Sequence, residues 1–334
     1  MQPIRRAVID VGTNSVKLLV GEVAGREVQP ICERSHQTRL GQGFYETRRL
    51  RPAAIAATAQ AVADFAALAR EAQSVSARVF ATSAAREAVN REELTAAIEM
   101  ASGLKVEVIS GEQEADWGYQ GVTTNPELAQ IPLLLLDVGG GSTQCVFGRG
   151  GQRLFSHSFP LGSVRLLETF PCSDPPQPSE LASCRQWLRE FLRREMRPRL
   201  AGETEERKQR SEVRGQRSEI GQSLLASPAA VGGVQLVGVG GAASILGCME
   251  AGLVAFDRAR IEATRLSAER VAWHLERLWS LPLEERKQIV GLPKTRADVI
   301  LMGVAIYQAV MEEFGFPGLR ISTRGLRFAA LMEG

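Results

Sequence analysis

The chain has 334 residues, 44% of them hydrophobic and 23% charged, a length for two ordinary domains and a composition normal for a soluble globular protein. Forty basic against 38 acidic side chains leave a net charge of +2, too balanced to argue for nucleic acid or a membrane as partner. Five scattered cysteines without CxxC spacing argue against a disulfide scaffold or a zinc site and fit a reducing cytosol.

The first residues read as entering a strand at once, so no signal peptide is expected. "AVIDVGTNSVKLLVGEVAGR" (7–26) reads as strand, glycine turn, second strand. "RPAAIAATAQAVADFAALAREA" follows as a helix, with Pro52 near its start and Ile55, Val62, Phe65 and Ala69 on one face. "ARVFAT" and "KVEVIS" are strand-like, with a capped helix between them from about Asn90. "LLLLDVGGGSTQ" (133–144) is a buried strand running into a phosphate-cradle turn. A helix near 179–197 precedes "VQLVGVGG", a strand into another glycine turn, then helices near 267–279 and 297–314 and a late strand "LRIST". The apolar run "ADVILMGVAIYQAVM" is shorter than a bilayer span and carries Asp298 and Gln308, so it reads as a buried helix. The segment 202–233 repeats "QRSE", is highly charged and has no sustained apolar face, so it reads as a flexible surface insertion.

The two glycine hairpins are a repeat. Asp10 matches Asp137 at an offset of 127, and Gly12 with Gly139, Ser15 with Ser142 and Gly21 with Gly148 keep it. Such duplication predicts two homologous lobes facing one phosphate site, in an α/β protein with helices flanking mixed sheets. Each Asp stands at a strand end, where it either caps its own turn or holds a hydrated magnesium ion over phosphate oxygens. Thr13, Asn14, Ser15, Gly139, Gly140, Gly141, Ser142, Thr143 and Gln144 would then grip phosphate through backbone N–H groups and side chains. Arg185, Arg189, Arg193 and Arg197 form a stripe at four-residue steps, either a solvated face or the lining of a polyanion channel. The three histidines are not spaced as metal ligands, and Trp117, Trp187, Trp273 and Trp279 read as core or interface.

"IDVGTNSVKLLV", "ATSAAREAVN", "VEVISGEQEADWGYQGV", "LLDVGGGST" and "RADVILMGVAI" resemble, in this order, the exopolyphosphatase and guanosine pentaphosphate phosphatase family. The resemblance implies two ribonuclease-H-like lobes of the actin-like ATPase type around an interlobe cleft, with lobes at 1–125 and 126–334. It also implies that the terminal helix can pack back onto the first lobe. It further implies a magnesium-dependent hydrolase acting on inorganic polyphosphate or guanosine pentaphosphate in the cytoplasm. Magnesium would sit at Asp10 and Asp137, with Glu114 as general base, Arg86 facing the phosphate chain, and Gly240 and Gly241 as a third glycine motif. A helix-dipole role for Glu114 and a salt bridge for Arg86 are the plainer readings of the residues themselves. The chain departs from the family at Gln144, where glutamate is usual, at Ala242 for threonine, at Thr323 for an acid and at Phe328 for glutamate. Those losses motivate a second function, a weakly active or inactive sensor that binds polyphosphate or an alarmone. Nucleic acid and membrane are not expected as partners, and a homodimer is left open.

Overall fold

The computed structural model describes residues 2–201 and 233–333. The insertion read at 202–233 therefore lies outside the described residues, apart from Gly233.

Two mixed sheets carry the fold. The first holds β1 (Ile4–Val11), β2 (Val16–Ala24), β3 (Glu27–His36), β4 (Ser76–Ala81) and β5 (Val106–Val108) in the order β3-β2-β1-β4-β5. The second holds β6 (Leu133–Val138), β7 (Thr143–Arg149), β8 (Gln152–Phe159), β9 (Gln235–Val239), β10 (Arg265–Ser267) and β11 (Gly318–Ile321) in the order β10-β11-β9-β6-β7-β8. Without the edge strand β10, the second order repeats the first. Each sheet begins with an antiparallel meander and continues with parallel strands on the other side of its first strand. These are two ribonuclease-H-like α/β lobes. The offset of the repeat survives in the pairing, since Asp10 faces Lys17 across β1–β2 and Asp137 faces Gln144 across β6–β7. The sequence hairpins are thus three-stranded; β3 and β8 are edge strands with few buried positions and so lack a strong apolar signal.

Short helices α1 (Phe44–Thr47) and α3 (Ser83–Glu87) flank the long α2 (Pro52–Glu71), which buries Ile55, Val62, Phe65 and Ala69 against the first sheet. Helix α4 (Arg91–Ser102) follows Asn90, whose amide does not cap it. The Asn90 side chain instead accepts from Leu50 N at 2.9 Å and donates to Leu50 O at 3.1 Å, tying the loop before α2 to α4. Helix α5 (Gly111–Val122), capped by Ser110, packs on β7 and β8 of the other lobe, and α6 (Pro126–Gln130) leads into β6.

In the second lobe come α7 (Ser163–Thr169), α8 (Pro178–Phe191), α9 (Arg197–Ala201), α10 (Gly240–Glu250), α11 (Arg258–Ala263), α12 (Ala268–Ser280), α13 (Leu283–Arg286) and α14 (Ile300–Phe314). Helix α14 is apolar on all sides and buried along nearly its whole length, as a core helix must be. The last helix, α15 (Leu326–Glu333), crosses back to the first sheet, where Phe328 and Leu331 join Val8, Leu19, Phe80 and Trp117 in one cluster. Trp117 and Trp279 are core and Trp187 is half-buried, but Trp273 is 44% exposed. It lies between Arg270 and Arg277, whose guanidinium carbons stand 4.4 and 5.3 Å from its ring centroid.

The arginine stripe runs from α8 through the π-helical turn Leu192–Met196 to the start of α9, reaches neighbouring helices and lines neither cavity described below. Arg185 pairs with Glu276 and donates to Gln308, while Arg193 and Arg197 both pair with the buried Glu313. The channel reading is thereby corrected: the stripe is mostly a helix-to-helix ion-pair seam.

Candidate active site between the lobes

The strand ends of β1 and β6 point into one interlobe crevice, at the carboxyl edge where open α/β sheets bind ligands. The two turns that follow are built alike. Gly12 N donates to Ser15 O at 3.1 Å and Gly139 N donates to Ser142 O at 3.0 Å. Glycine suits both positions: a Cβ would lie a tight 3.1 Å from Ser15 O at Gly12 and would collide at 2.9 Å with Ser142 O at Gly139. Beyond them the turns are complementary. Loop one carries Thr13 where loop two has Gly140, and a Cβ on Gly140 would stand 2.9 Å from the Thr13 Cβ. The side chains of one loop fill the space the other leaves empty.

The crevice, about 60 Å³, is lined by Asp10, Gly12, Thr13, Asn14, Ser15, Lys17, Thr82, Ser83, Glu114, Asp137, Gly139, Gly140, Gly141, Ser142, Gly240, Gly241 and Arg296 among others. It continues into a cavity of about 420 Å³ that shares Ser15, Lys17, Asp137, Gly240, Gly241, Arg296 and Leu326. That larger space has Lys17, Arg34, Arg296 and Arg327 against Glu33 and Asp137, a cationic surplus, beside an apolar patch of Ile245, Phe256 and Leu326.

Three of the residues singled out from the sequence are not on the crevice wall. Thr143 is fully buried and donates its hydroxyl to Leu161 O at 2.5 Å, so it packs the loop instead of meeting phosphate. Gln144 is 1% exposed and lies one layer back, its amide donating to Ser142 Oγ at 2.8 Å and Ser158 Oγ at 3.0 Å. Arg86 donates to Glu114 Oε2 at 3.2 Å and Ile109 O at 2.9 Å. Its guanidinium serves Glu114, not the phosphate face. Ala242 is likewise away from the crevice, buried where a Cβ on Gly303 would lie 2.9 Å from its own. The third glycine motif is no turn: β9 runs directly into α10, whose first residue Gly240 has φ 79° and backs onto the Asp137 carboxylate.

Burial governs the electrostatics of the carboxylates. Desolvation pushes Glu114 up to about 8, with Arg86 opposing and Asp137 and Asp10 adding repulsion, whereas Glu112 on the same turn is exposed. Asp137 is raised to about 6, again by desolvation first, against the pull of Lys17. Asp10 is raised by desolvation too, with Lys17 and Arg327 lowering it. Lys17, half-buried beside them, is lowered by desolvation and held up mainly by Asp10.

Lys17 and Arg296 were not picked out from sequence. Arg296 Nη1 donates to Ser15 Oγ at 3.0 Å, linking the second lobe to the first loop. The signal for Lys17 was present in the repeat: it is the register partner of Asp10, as Gln144 is of Asp137. Two donors at the crevice, Asn14 Nδ2 and Arg296 Nε, are buried without a hydrogen-bond partner, which suits a site awaiting an anion.

Among the described residues no group of three or more His, Cys, Asp or Glu could hold a metal by itself. Asp10 and Asp137 still offer two hard oxygen donors beside the anion site. That set fits magnesium, which keeps waters and substrate phosphate oxygens in its shell.

Residues 19–333 match the Ppx/GppA phosphatase family. The chain is 30% identical over 318 residues to exopolyphosphatase 2 of Mycobacterium tuberculosis, covering 92% of this chain and 90% of that one. Among solved structures, the Ppx/GppA enzyme of Aquifex aeolicus superposes with a TM-score of 0.74 at 28% identity, covering 99% of this chain and 100% of that one. An exopolyphosphatase from Cytophaga hutchinsonii, at 22% identity and TM-score 0.78 over 98% of this chain and 96% of that one, shares the fold.

Proposed function

This chain belongs to the Ppx/GppA phosphatase family, and we propose that it hydrolyses the terminal phosphoanhydride bond of inorganic polyphosphate. The observation that carries the reading is the convergence of two glycine loops and the carboxylates Asp10, Asp137 and Glu114 on one small crevice that opens into a cation-rich cavity. The crevice takes the terminal phosphate, gripped by loop N–H groups, Asn14, Ser15 and Ser142. The rest of the chain runs into the larger cavity past Lys17, Arg296 and Arg327. Water attacks the terminal phosphorus in line, Glu114 accepts its proton, and the bridging P–O bond breaks to give inorganic phosphate and a chain one unit shorter. Arg86 positions the Glu114 carboxylate and favours its ionised form. Asp10 and Asp137 would hold magnesium, which when bound offsets the charge of the phosphate oxygens.

Guanosine pentaphosphate is a second substrate within this reading, favoured by the apolar patch of Ile245, Phe256 and Leu326 beside the cations. The sensor reading keeps one specific support: Glu114, raised to about 8, is largely protonated at neutral pH and Gln144 supplies no second acid.

The deciding assay is phosphate release from long-chain polyphosphate and from guanosine pentaphosphate, with magnesium and with a chelator. Magnesium-dependent release by the wild type, lost in Asp137→Asn with the fold intact, is the expected result. Tight polyphosphate binding without release would replace the hydrolase with the sensor. Release that persists undiminished in chelator would remove magnesium from the scheme.

A further inference from the structure

The crevice has its mouth on the side of the larger cavity. At its far end, the hydroxyls of Tyr45, Ser83 and Thr13 converge on Gly141, where a Cβ would collide with the first two groups and lie 2.9 Å from Thr13 Oγ1. Arg165 on α7 closes this end from behind. Its Nε donates to Gly141 O at 2.8 Å, its Nη2 pairs with Glu87 at 2.6 Å, and its guanidinium carbon stands 4.1 Å from the Tyr45 ring centroid. Arg48 binds the other oxygen of Glu87, and Ser83 Oγ donates to Glu87 at 3.0 Å. One turn along α7, Glu168 accepts from Gly43 N at 2.5 Å and Tyr45 N at 3.2 Å, so the backbone that carries Tyr45 is fastened to the opposite lobe. None of Tyr45, Arg165 and Glu168 lines either cavity. Burial raises the Tyr45 phenol to about 12, so it stays a neutral group at this end.

We propose that Tyr45, held by Arg165, backs the end wall that Thr13, Ser83 and Gly141 present to the crevice, and that this backing selects the terminus of a phosphate chain over its interior. A terminal phosphate has one bridging oxygen and leaves by the mouth it entered. An internal phosphate has two, and the second arm of the chain would have to pass through the space that Tyr45 and Gly141 close. The proposal rests on the polyphosphate reading above, and it adds to that reading the residue that sets the cleavage position. Hydrolysis at an internal anhydride would consume one water and give two shorter chains, a product pattern distinct from stepwise loss of phosphate.

The test uses the full chain and two substrates: long-chain polyphosphate with free ends, and the same chain with both ends capped as bulky phosphoramidates. Chain length is followed on gels and free phosphate is measured in parallel. Wild type should shorten free-ended chains stepwise and leave capped chains intact. Tyr45→Ala, which removes the support behind Gly141 and lets the far end give way, should raise the rate on capped chains relative to free ones by about tenfold or more, with mid-length products. Tyr45→Phe keeps the ring in place and should keep the wild-type ratio. Arg165→Gln loosens the ring without deleting it, should raise the ratio less, and decides the matter if Tyr45→Ala does not fold. An unchanged ratio in a folded, active variant overturns the wall alone, as does wild-type cleavage of capped chains at the free-chain rate. A wild type that releases phosphate from no free-ended chain overturns the hydrolase reading itself and this proposal with it.

Discussion

Glu114 shows at the scale of one residue how stability and chemistry oppose each other in this crevice. Its carboxyl is raised from 4.5 to about 8, chiefly because burial penalises the charge. Between those values the unfolded chain gives up the proton while the folded chain keeps it. Stability from this group is therefore undiminished below 4.5 and declines as pH rises toward about 8. Replacing Glu114 with Gln removes a penalty on the order of 1–3 kcal/mol at pH 7. The expected result is a higher Tm at pH 7, a difference that shrinks toward pH 4.5, and turnover reduced by about 10²–10⁴-fold. In the wild type, kcat/KM should fall as pH drops through about 8, since only the ionised carboxylate accepts a proton. A profile flat across that range would take the base away from Glu114. Gln144 is read differently once its partners are known. Its amide donates to two serine hydroxyls in a buried layer behind the crevice, next to Asp137 in the sheet register. Gln144→Glu should thus lower stability, by about 1–3 kcal/mol for a buried acceptor facing acceptors, unless both hydroxyls turn to donate. Denaturant unfolding of the two proteins measures it.

At the scale of elements, the site depends on two turns that fit each other as well as their own strands. Gly140 leaves the space that Thr13 occupies. Gly140→Ala should cost about 1–3 kcal/mol through overpacking and lower turnover by parting the loops. Adding Thr13→Gly should recover part of the stability, a non-additive pair that a double-mutant cycle by thermal denaturation will show. Recovery absent in the double variant would mean that the strain lies within loop two. The arginine stripe from α8 into α9 is the complementary case. Arginines at four-residue steps describe a helix face equally well whether the face meets solvent, a ligand or another helix, and here Glu313 and Glu276 take most of it.

Across the whole molecule, the chain's end completes its beginning. Helix α15 supplies Phe328, 1% exposed, together with Ala329, Ala330 and Leu331, to a cluster otherwise made of first-lobe residues, Trp117 of α5 among them. Gly121 of α5 allows this return, since a Cβ there would collide with the Gly325 carbonyl. Phe328→Ala should destabilise by about 3–5 kcal/mol, measured by denaturant unfolding, although the residue lies more than 200 positions from the strands it covers. A loss below about 1 kcal/mol would show that α15 is only loosely docked. Further ties cross between the lobes at Arg39–Asp298 and Arg165–Glu87. Phosphate bound between the loops should stabilise the protein by mass action, raising Tm with concentration.

Much of this architecture is legible in the sequence because it is local and repeated. The strand pattern before each Asp, the glycines after it and the fixed offset between Asp10 and Asp137 are properties of short stretches, and they predict two like lobes with one shared site. Glu114 at the start of a helix, and α14 as a core helix, follow from the same local logic. What the tertiary structure alone decided is which side of a residue faces the cleft. Thr143, Gln144 and Arg86 sit within or beside the motifs that mark the site, yet they point into packing or toward Glu114. Lys17 and Arg296 reach the crevice from a strand and from the turn before α14; both stand inside quoted motifs, yet nothing in those motifs says that their side chains enter the cleft. Alternation along a strand assigns residues to two faces, but which face becomes the cleft depends on the other lobe, more than a hundred residues away in the chain. That choice is made by long-range packing, so no short window of sequence contains it.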